Sequence, residues 1–186
     1  MNDLLTTDTQ ELENAEDEQE ENMQQDRFLT FALDTETFGL PIAFVEEIVG
    51  MQKISDVPEA PAYMKGIINL RGQIIPVIDM RLRLKKAPVP YDDRTCIVIV
   101  ELGDVKAGLI VDHVSEVVHI PEGETVPPPD IRTGFQSRYI SGIGKMADKV
   151  VLLLDCEKLF RADELQTIGD AVPDSCEDAQ ADAEAE

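Results

Sequence analysis

No apolar run in this chain of 186 residues exceeds five residues. Between 27 and 161 such runs recur about every 8 to 12 residues, separated by Gly, Pro, Asp and Asn. A chain so punctuated cannot supply the ~20 consecutive apolar residues of a bilayer span. It is confined to short strands joined by tight turns.

Residues 27–33 alternate Phe31 and Leu33 against Thr30 and Ala32, and Asp34-Thr-Glu-Thr37 turns the chain into a second short strand at 37–42. A hairpin is expected at 67–78, with Gly72-Gln73 as its two-residue turn. Pro76 marks an edge or a bulge on the returning strand. Further strands are expected at 95–102 and 105–111 about Gly103-Asp104, at 114–120, and as a pair at 139–144 and 149–155. Three short helices interrupt them. Phe44, Val45 and Ile48 follow a helical spacing that predicts one to two turns over 43–49, with Glu46 and Glu47 on the outer side and Gly50 ending it. Asp79 is placed to cap a helix at 80–84, and 157–161 closes as another. In 81–86, Arg-Leu-Arg-Leu-Lys-Lys, alternation sends Leu82 and Leu84 inward and leaves Arg81, Arg83, Lys85 and Lys86 outside, as a solvated face or a docking site for an acidic tail or partner. The strand spacing predicts a mainly β fold of two small closed barrels sharing a core, not a parallel α/β sheet.

Charge divides the chain into three. The formal net charge is -22, with 38 acidic and 16 basic residues. Residues 1–26 hold ten acids and 162–186 nine, and neither segment has a Lys or Arg. The body, 27–161, is therefore nearly neutral. Ends so poor in apolar side chains cannot offset the ~1–2 kcal/mol per residue of backbone ordering entropy, and read as disordered, solvating tails. An acidic chain without a basic stripe repels phosphate backbones, which argues against nucleic acid. The amino terminus, Met1-Asn-Asp-Leu-Leu-Thr-Thr-Asp, has neither the basic region nor the apolar stretch of a signal peptide. Three widely spaced cysteines, Cys96, Cys156 and Cys176, suggest no disulfide framework, so a cytoplasmic protein is the expectation.

Nothing in the body assembles a reaction centre. His113 and His119 have no cysteine or carboxylate at zinc-ligand spacing. Gly142-Ile-Gly144 lacks the third glycine and following helix of a dinucleotide loop, and no nucleophile elbow or phosphate-binding loop is present. No enzyme, no metal and no cofactor is the reading. A small enzyme hidden in a β scaffold is the competing class, to be revived by a ligand or metal at His113 or His119. Glu47 and Arg71 stand out as charges that could meet at a barrel rim and orient a recognition surface.

These residues resemble the CheW-type coupling proteins of chemotaxis. Gly66-Ile-Ile-Asn-Leu-Arg-Gly72 followed by Ile75-Pro-Val-Ile-Asp79 is similar to that family's signature. Phe28-Leu-Thr-Phe31, Phe38-Gly39, Glu46-Glu-Ile48, Ile143-Gly144, Leu152-Leu-Leu-Asp155 and Leu159-Phe160 follow in the family's order across 27–161. The resemblance implies two SH3-like five-stranded β-barrels and no enzymatic activity. It implies an adaptor joining the cytoplasmic tips of chemoreceptors (methyl-accepting chemotaxis proteins) to the regulatory domain of the histidine kinase CheA, meeting the membrane only through the receptors. A helical hairpin of the receptor tip would lie in the groove between the barrels. Carried over by motif, Val45, Glu47, Gly66, Asn69 and Arg71 are expected at the receptor site, with Cys96 and Val117 on its other wall; no kinase-contacting residue is assigned. The alternative is coupling in another chemosensory route, governing pili or second messengers.

Overall fold

The computed structural model describes residues 26–128, 137–146 and 148–160. The expected tails, 1–26 and 162–186, lie outside them except for Asp26. Eleven strands form two sheets among these residues. The first contains β1 (Arg27–Leu33), β2 (Glu36–Pro41), β8 (His113–His119), β9 (Thr125–Val126), β10 (Ile140–Lys145) and β11 (Val150–Leu154), in the order β8-β1-β2-β11-β10-β9. The second contains β3 (Val45–Gly50), β4 (Met64–Leu70), β5 (Gln73–Asp79), β6 (Cys96–Leu102) and β7 (Val105–Val111), in the order β3-β6-β7-β5-β4. The whole second sheet is thus one continuous stretch of chain, set between β2 and β8 of the first.

Seven of the nine strand pairings among the described residues are antiparallel, and four of these are tight hairpins: β1–β2, β4–β5, β6–β7 and β10–β11. Two parallel pairings, β2 with β11 and β5 with β7, close the long connections. Pro76 illustrates how sequence reports register. β5 meets β7 only from Val77 onward, so Pro76, which has no N–H to give, falls where that side of the strand is still an edge. Neither sheet closes on itself by hydrogen bonds among the described residues; both run from one free edge to another.

Three apolar clusters lie among and behind the sheets. The largest unites Leu29, Phe31, Leu33, Phe38 and Leu40 of the first sheet with Ile78, Val98, Val100, Leu109 and Val111 of the second. Ile68, Ile75, Val77, Ile97, Ile99 and Ile110 pack on the far face of the second sheet, and Phe28, Val118, Ile120, Val151 and Leu153 on that of the first. The sheets therefore share one core while each retains its own.

Three expectations from the sequence are corrected. Residues 43–49 are not a helix: Ile42–Phe44 is a single 3-10 turn and Val45–Gly50 is β3, paired with β6. A β-bulge between Val45 and Glu47 adds one residue to the strand. That insertion breaks the two-residue alternation and leaves an apolar spacing that imitates a helix. The β4–β5 turn is Arg71–Gly72, one residue earlier than expected, with Leu70 opposite Gln73.

The third correction concerns α1 (Met80–Arg83). Asp79 caps it as expected, accepting the N–H groups of Arg81 and Leu82. Arg81 and Arg83, however, are buried rather than solvated. Arg81 is paired with Asp112. Arg83 donates to the Leu159 carbonyl through Nε at 3.2 Å and Nη2 at 2.6 Å, and its guanidinium lies over the rings of Tyr63 and Tyr139. Leu159 ends the last helix, α2 (Cys156–Leu159), capped by Asp155. Four residues form too short a helix for strict alternation to apply, and planar guanidinium groups with partners are the cations best suited to burial. Lys86 pairs with Glu36. The expected basic docking face is therefore largely spent on internal contacts.

Candidate functional site

β3 and β8 each form a free edge of their sheet, and each carries an exposed apolar side chain on the shared-core side. Ile48 lies opposite the buried Val98 in the β3–β6 ladder, on the face that packs toward the other sheet, yet it is 45% exposed. Val117 lies opposite the buried Leu29 in the β1–β8 ladder and is 41% exposed. Both sit where the shared core reaches the surface. Cys96, at the start of β6 and opposite Gly50, is diagonal to Ile48 on the same face. Cys96 and Val114 of β8 both pack against the shared core, so the two sheets approach each other there. Burial pushes the Cys96 thiol up by more than the nearby Val114 backbone lowers it, which makes Cys96 a poor nucleophile at neutral pH. Ile48 and Cys96 thus lie on the shared-core face of one sheet, and Val114 and Val117 on that of the other; the space between these two edges is the candidate groove.

The β8 wall is held firmly. Its ladder with β1 is irregular between Leu29 and Phe31. The buried Thr30 hydroxyl fills that irregularity, donating to the Glu116 carbonyl at 2.7 Å and accepting the Glu116 N–H at 3.2 Å.

On the other face of β3, Glu47 meets Arg71. The guanidinium grips both carboxylate oxygens, Nη1 to Oε1 at 3.2 Å and Nη2 to Oε2 at 2.9 Å. The Arg71 side chain is 76% exposed and that of Glu47 24%. Such a pair adds only ~0–1 kcal/mol to stability. Its two-pronged geometry instead fixes a cation in place beside the groove. Asn69 supports it by accepting the Gly72 N–H at 2.9 Å, which stiffens the turn that presents Arg71. Lys106 and Glu46 form a second ion pair nearby along β3.

The expected site residues therefore fall into two groups. Glu47, Asn69 and Arg71 come together at the polar rim; of the two residues expected on the opposite wall only Val117 lies on the other sheet, since Cys96 is in β6, paired directly with β3. Val45 is half-buried and packs against the shared core at the start of β3. Gly66 belongs to neither group. It lies inside β4 at φ +140, and a Cβ there would stand 2.0 Å from the Ser55 carbonyl oxygen, within the bridge between Ser55 and Ile67. Its role is to let two backbones approach. Ile48 and Val114 were missed from sequence: the helical reading of 43–49 turned Ile48 inward, and only the β-branched run Val45 to Val49 hinted at a strand.

The histidines are both exposed on β8, and no cluster of three potential metal ligands occurs among the described residues. No helix of the described residues is long and apolar enough to cross a membrane.

Comparison with known proteins agrees with this fold. A family model described as a CheW-like domain matches residues 27–164. The chain is 36% identical over 151 residues to the chemotaxis protein CheW of Treponema pallidum, covering 79% of this chain and 89% of that one. It is 32% identical over 141 residues to the chemotaxis protein CheW of Klebsiella aerogenes, covering 76% and 85%. Among solved structures, the scaffolding protein TtCheW from Thermoanaerobacter tengcongensis superposes with a TM-score of 0.68 at 38% identity, covering 75% of this chain and 90% of that one.

Proposed function

The chain belongs to the CheW-like domain family of non-enzymatic chemotaxis scaffold proteins, and from that premise we propose that it couples the cytoplasmic tips of chemoreceptors to the histidine kinase CheA. The observation that supports this reading is the pair of exposed apolar side chains on the two free strand edges. Ile48 of β3 and Val117 of β8 each stand exposed on the shared-core face of their sheet, and Glu47 holds the Arg71 cation on the other face of β3. An amphipathic helix needs those features of its host: an apolar trough for one face, and fixed charge at the margin to choose register. The receptor tip supplies the helix. Residues 27–161 are the working unit, acting in the cytoplasm, with the two sheets corresponding to the family's SH3-like barrels and the acidic ends as auxiliary tails. Val45, Glu47, Asn69, Arg71, Cys96 and Val117 serve the receptor site, Gly66 only through the backbone of β4, and Ile48 joins them.

The test is reversal of the rim charge. Arg71→Glu places a carboxylate opposite Glu47, with Arg71 exposed enough for the fold to survive. In a reconstituted mixture of receptor tips and CheA, this variant is expected to lose receptor-dependent kinase activation while its circular dichroism and melting remain those of the parent. Unchanged activation would sink the groove assignment.

A further inference from the structure

Outside the groove, the chain's second passage between the sheets has an unusual construction. β7 ends at Val111 and β8 begins at His113, so the joint between the two sheets is one residue, Asp112. Its carboxylate binds elements of both. Oδ1 accepts from Arg81 Nε at 2.7 Å, and Oδ2 accepts from Arg81 Nη2. Arg81 lies in α1, which runs on directly from β5 of the five-stranded sheet, and it also donates to the Ala87 carbonyl at 3.2 Å. Oδ2 accepts the N–H of Asp34 at 3.0 Å, in the β1–β2 turn of the six-stranded sheet. Two residues past the joint, Val114 packs against the same core as Cys96 of the other sheet; three further on is Val117. The ladder with β1 and the Thr30–Glu116 bonds hold β8 to its own sheet, and Asp112 is where that unit is tied to the five-stranded sheet that carries Ile48.

We propose that Asp112 and Arg81 are positioning residues: their ion pair locks the joint, fixes how the two sheets stand to each other, and so sets the width of the groove for its partner helix. The inference rests on the receptor reading of that groove. Arg81 and Asp112 act through β8 rather than by touching the partner. An open depression of about 390 Å³, walled in part by Asp34, Arg81 and Asp112, brings water to the pair. A cation left alone there can be hydrated, so variants of the pair are expected to fold.

The full chain with Cys176→Ser provides the assay. The Cys156 thiol is buried and pushed up to about 12, by burial first and then by Asp155 and Glu157, so it stays silent at pH 8. Labelling by an aromatic disulfide then reports Cys96, at the seam the joint controls. Two variants are compared with this parent. Arg81→Lys keeps the charge but loses the planar fork. The double variant Arg81→Met with Asp112→Leu removes both charges and replaces them with apolar bulk, which commonly leaves stability intact. Both are expected to label at Cys96 at least about threefold faster. Both should bind a chemoreceptor signalling-tip fragment about tenfold more weakly, with the double variant melting close to the parent. Parental labelling and affinity in either folded variant would overturn the proposal and leave the pair a purely stabilising contact. Failure of the parent itself to bind the tip would refute the receptor reading instead, and the labelling rates would still decide the joint.

Discussion

Arg71 stands at φ +53 and Gly72 at φ +88, so both central residues of the β4–β5 turn are left-handed. Such a turn matches the twist of the strands it joins, and Asn or Gly usually occupies its first position. An Arg there accepts a small conformational cost so that its side chain reaches Glu47. The glycines nearby differ in what they permit. Gly72→Ala meets no neighbouring atom within 4 Å and should cost about 1 kcal/mol, from backbone conformation alone. Gly66→Ala drives a methyl into the Ser55 carbonyl and should cost about 3 kcal/mol or more, losing the Ser55–Ile67 bridge. Urea unfolding of the two variants measures the difference; equal costs would contradict this account. The sequence motif carried Gly66 and Arg71 with equal weight. Only the geometry separates a residue that presents charge from one that lets two backbones pass.

At the level of elements, hairpins were legible because Gly, Pro and Asp mark their turns directly; even Pro76 reported the edge it occupies. β3 was not, since its bulge shifts the phase on which strand reading depends. α1 failed for another reason: its charges face inward because partners lie far along the chain, Asp112 for Arg81 and Leu159 for Arg83. No local pattern reveals a partner 76 residues away. Arg83→Met tests that contact. It abandons the Leu159 carbonyl and the stacking on Tyr63 and Tyr139, and should destabilise by about 2–4 kcal/mol, with amide exchange rising first in α2. Asp79→Ala should cost about 1–2 kcal/mol by the same measurement, because Asp79 caps α1 and also accepts the Tyr91 hydroxyl at 2.8 Å.

For the whole molecule, the mainly β class and the nearly neutral body between acidic ends could be read before any coordinates. Strand order could not, because the two parallel pairings join residues that no turn connects. Acid should expose the inter-sheet joint. Burial pushes the Asp112 carboxyl up, but hydrogen bonds from Arg81 and the Asp34 N–H outweigh it and hold the group below the usual carboxylate range. Asp155 is likewise lowered, burial being outweighed by hydrogen bonds from Lys158. Since both are depressed in the folded state, their stabilisation is complete above an unfolded value of about 4 and is lost as pH falls through the lower folded values. Melting temperature should therefore drop on acidification below about pH 4. Asp112→Asn should melt lower than the parent at pH 6 and show a shallower fall; an identical slope would remove Asp112 from the balance.

The placing of the second sheet between β2 and β8 also orders events during synthesis. As the chain leaves the ribosome, β3 through β7 emerge together and can pair at once. β2 must wait for its parallel partner β11, more than a hundred residues later. Until then Thr37, Phe38 and Gly39 have an unfilled edge, and the shared core lacks Leu154, Cys156, Leu159 and Phe160. The smaller sheet is thus able to form early, and completion of the larger one becomes the last step of maturation. A nascent chain stalled before residue 150 should hold a protease-resistant 45–111 segment and no competent groove, because β8 would lean on a sheet not yet finished.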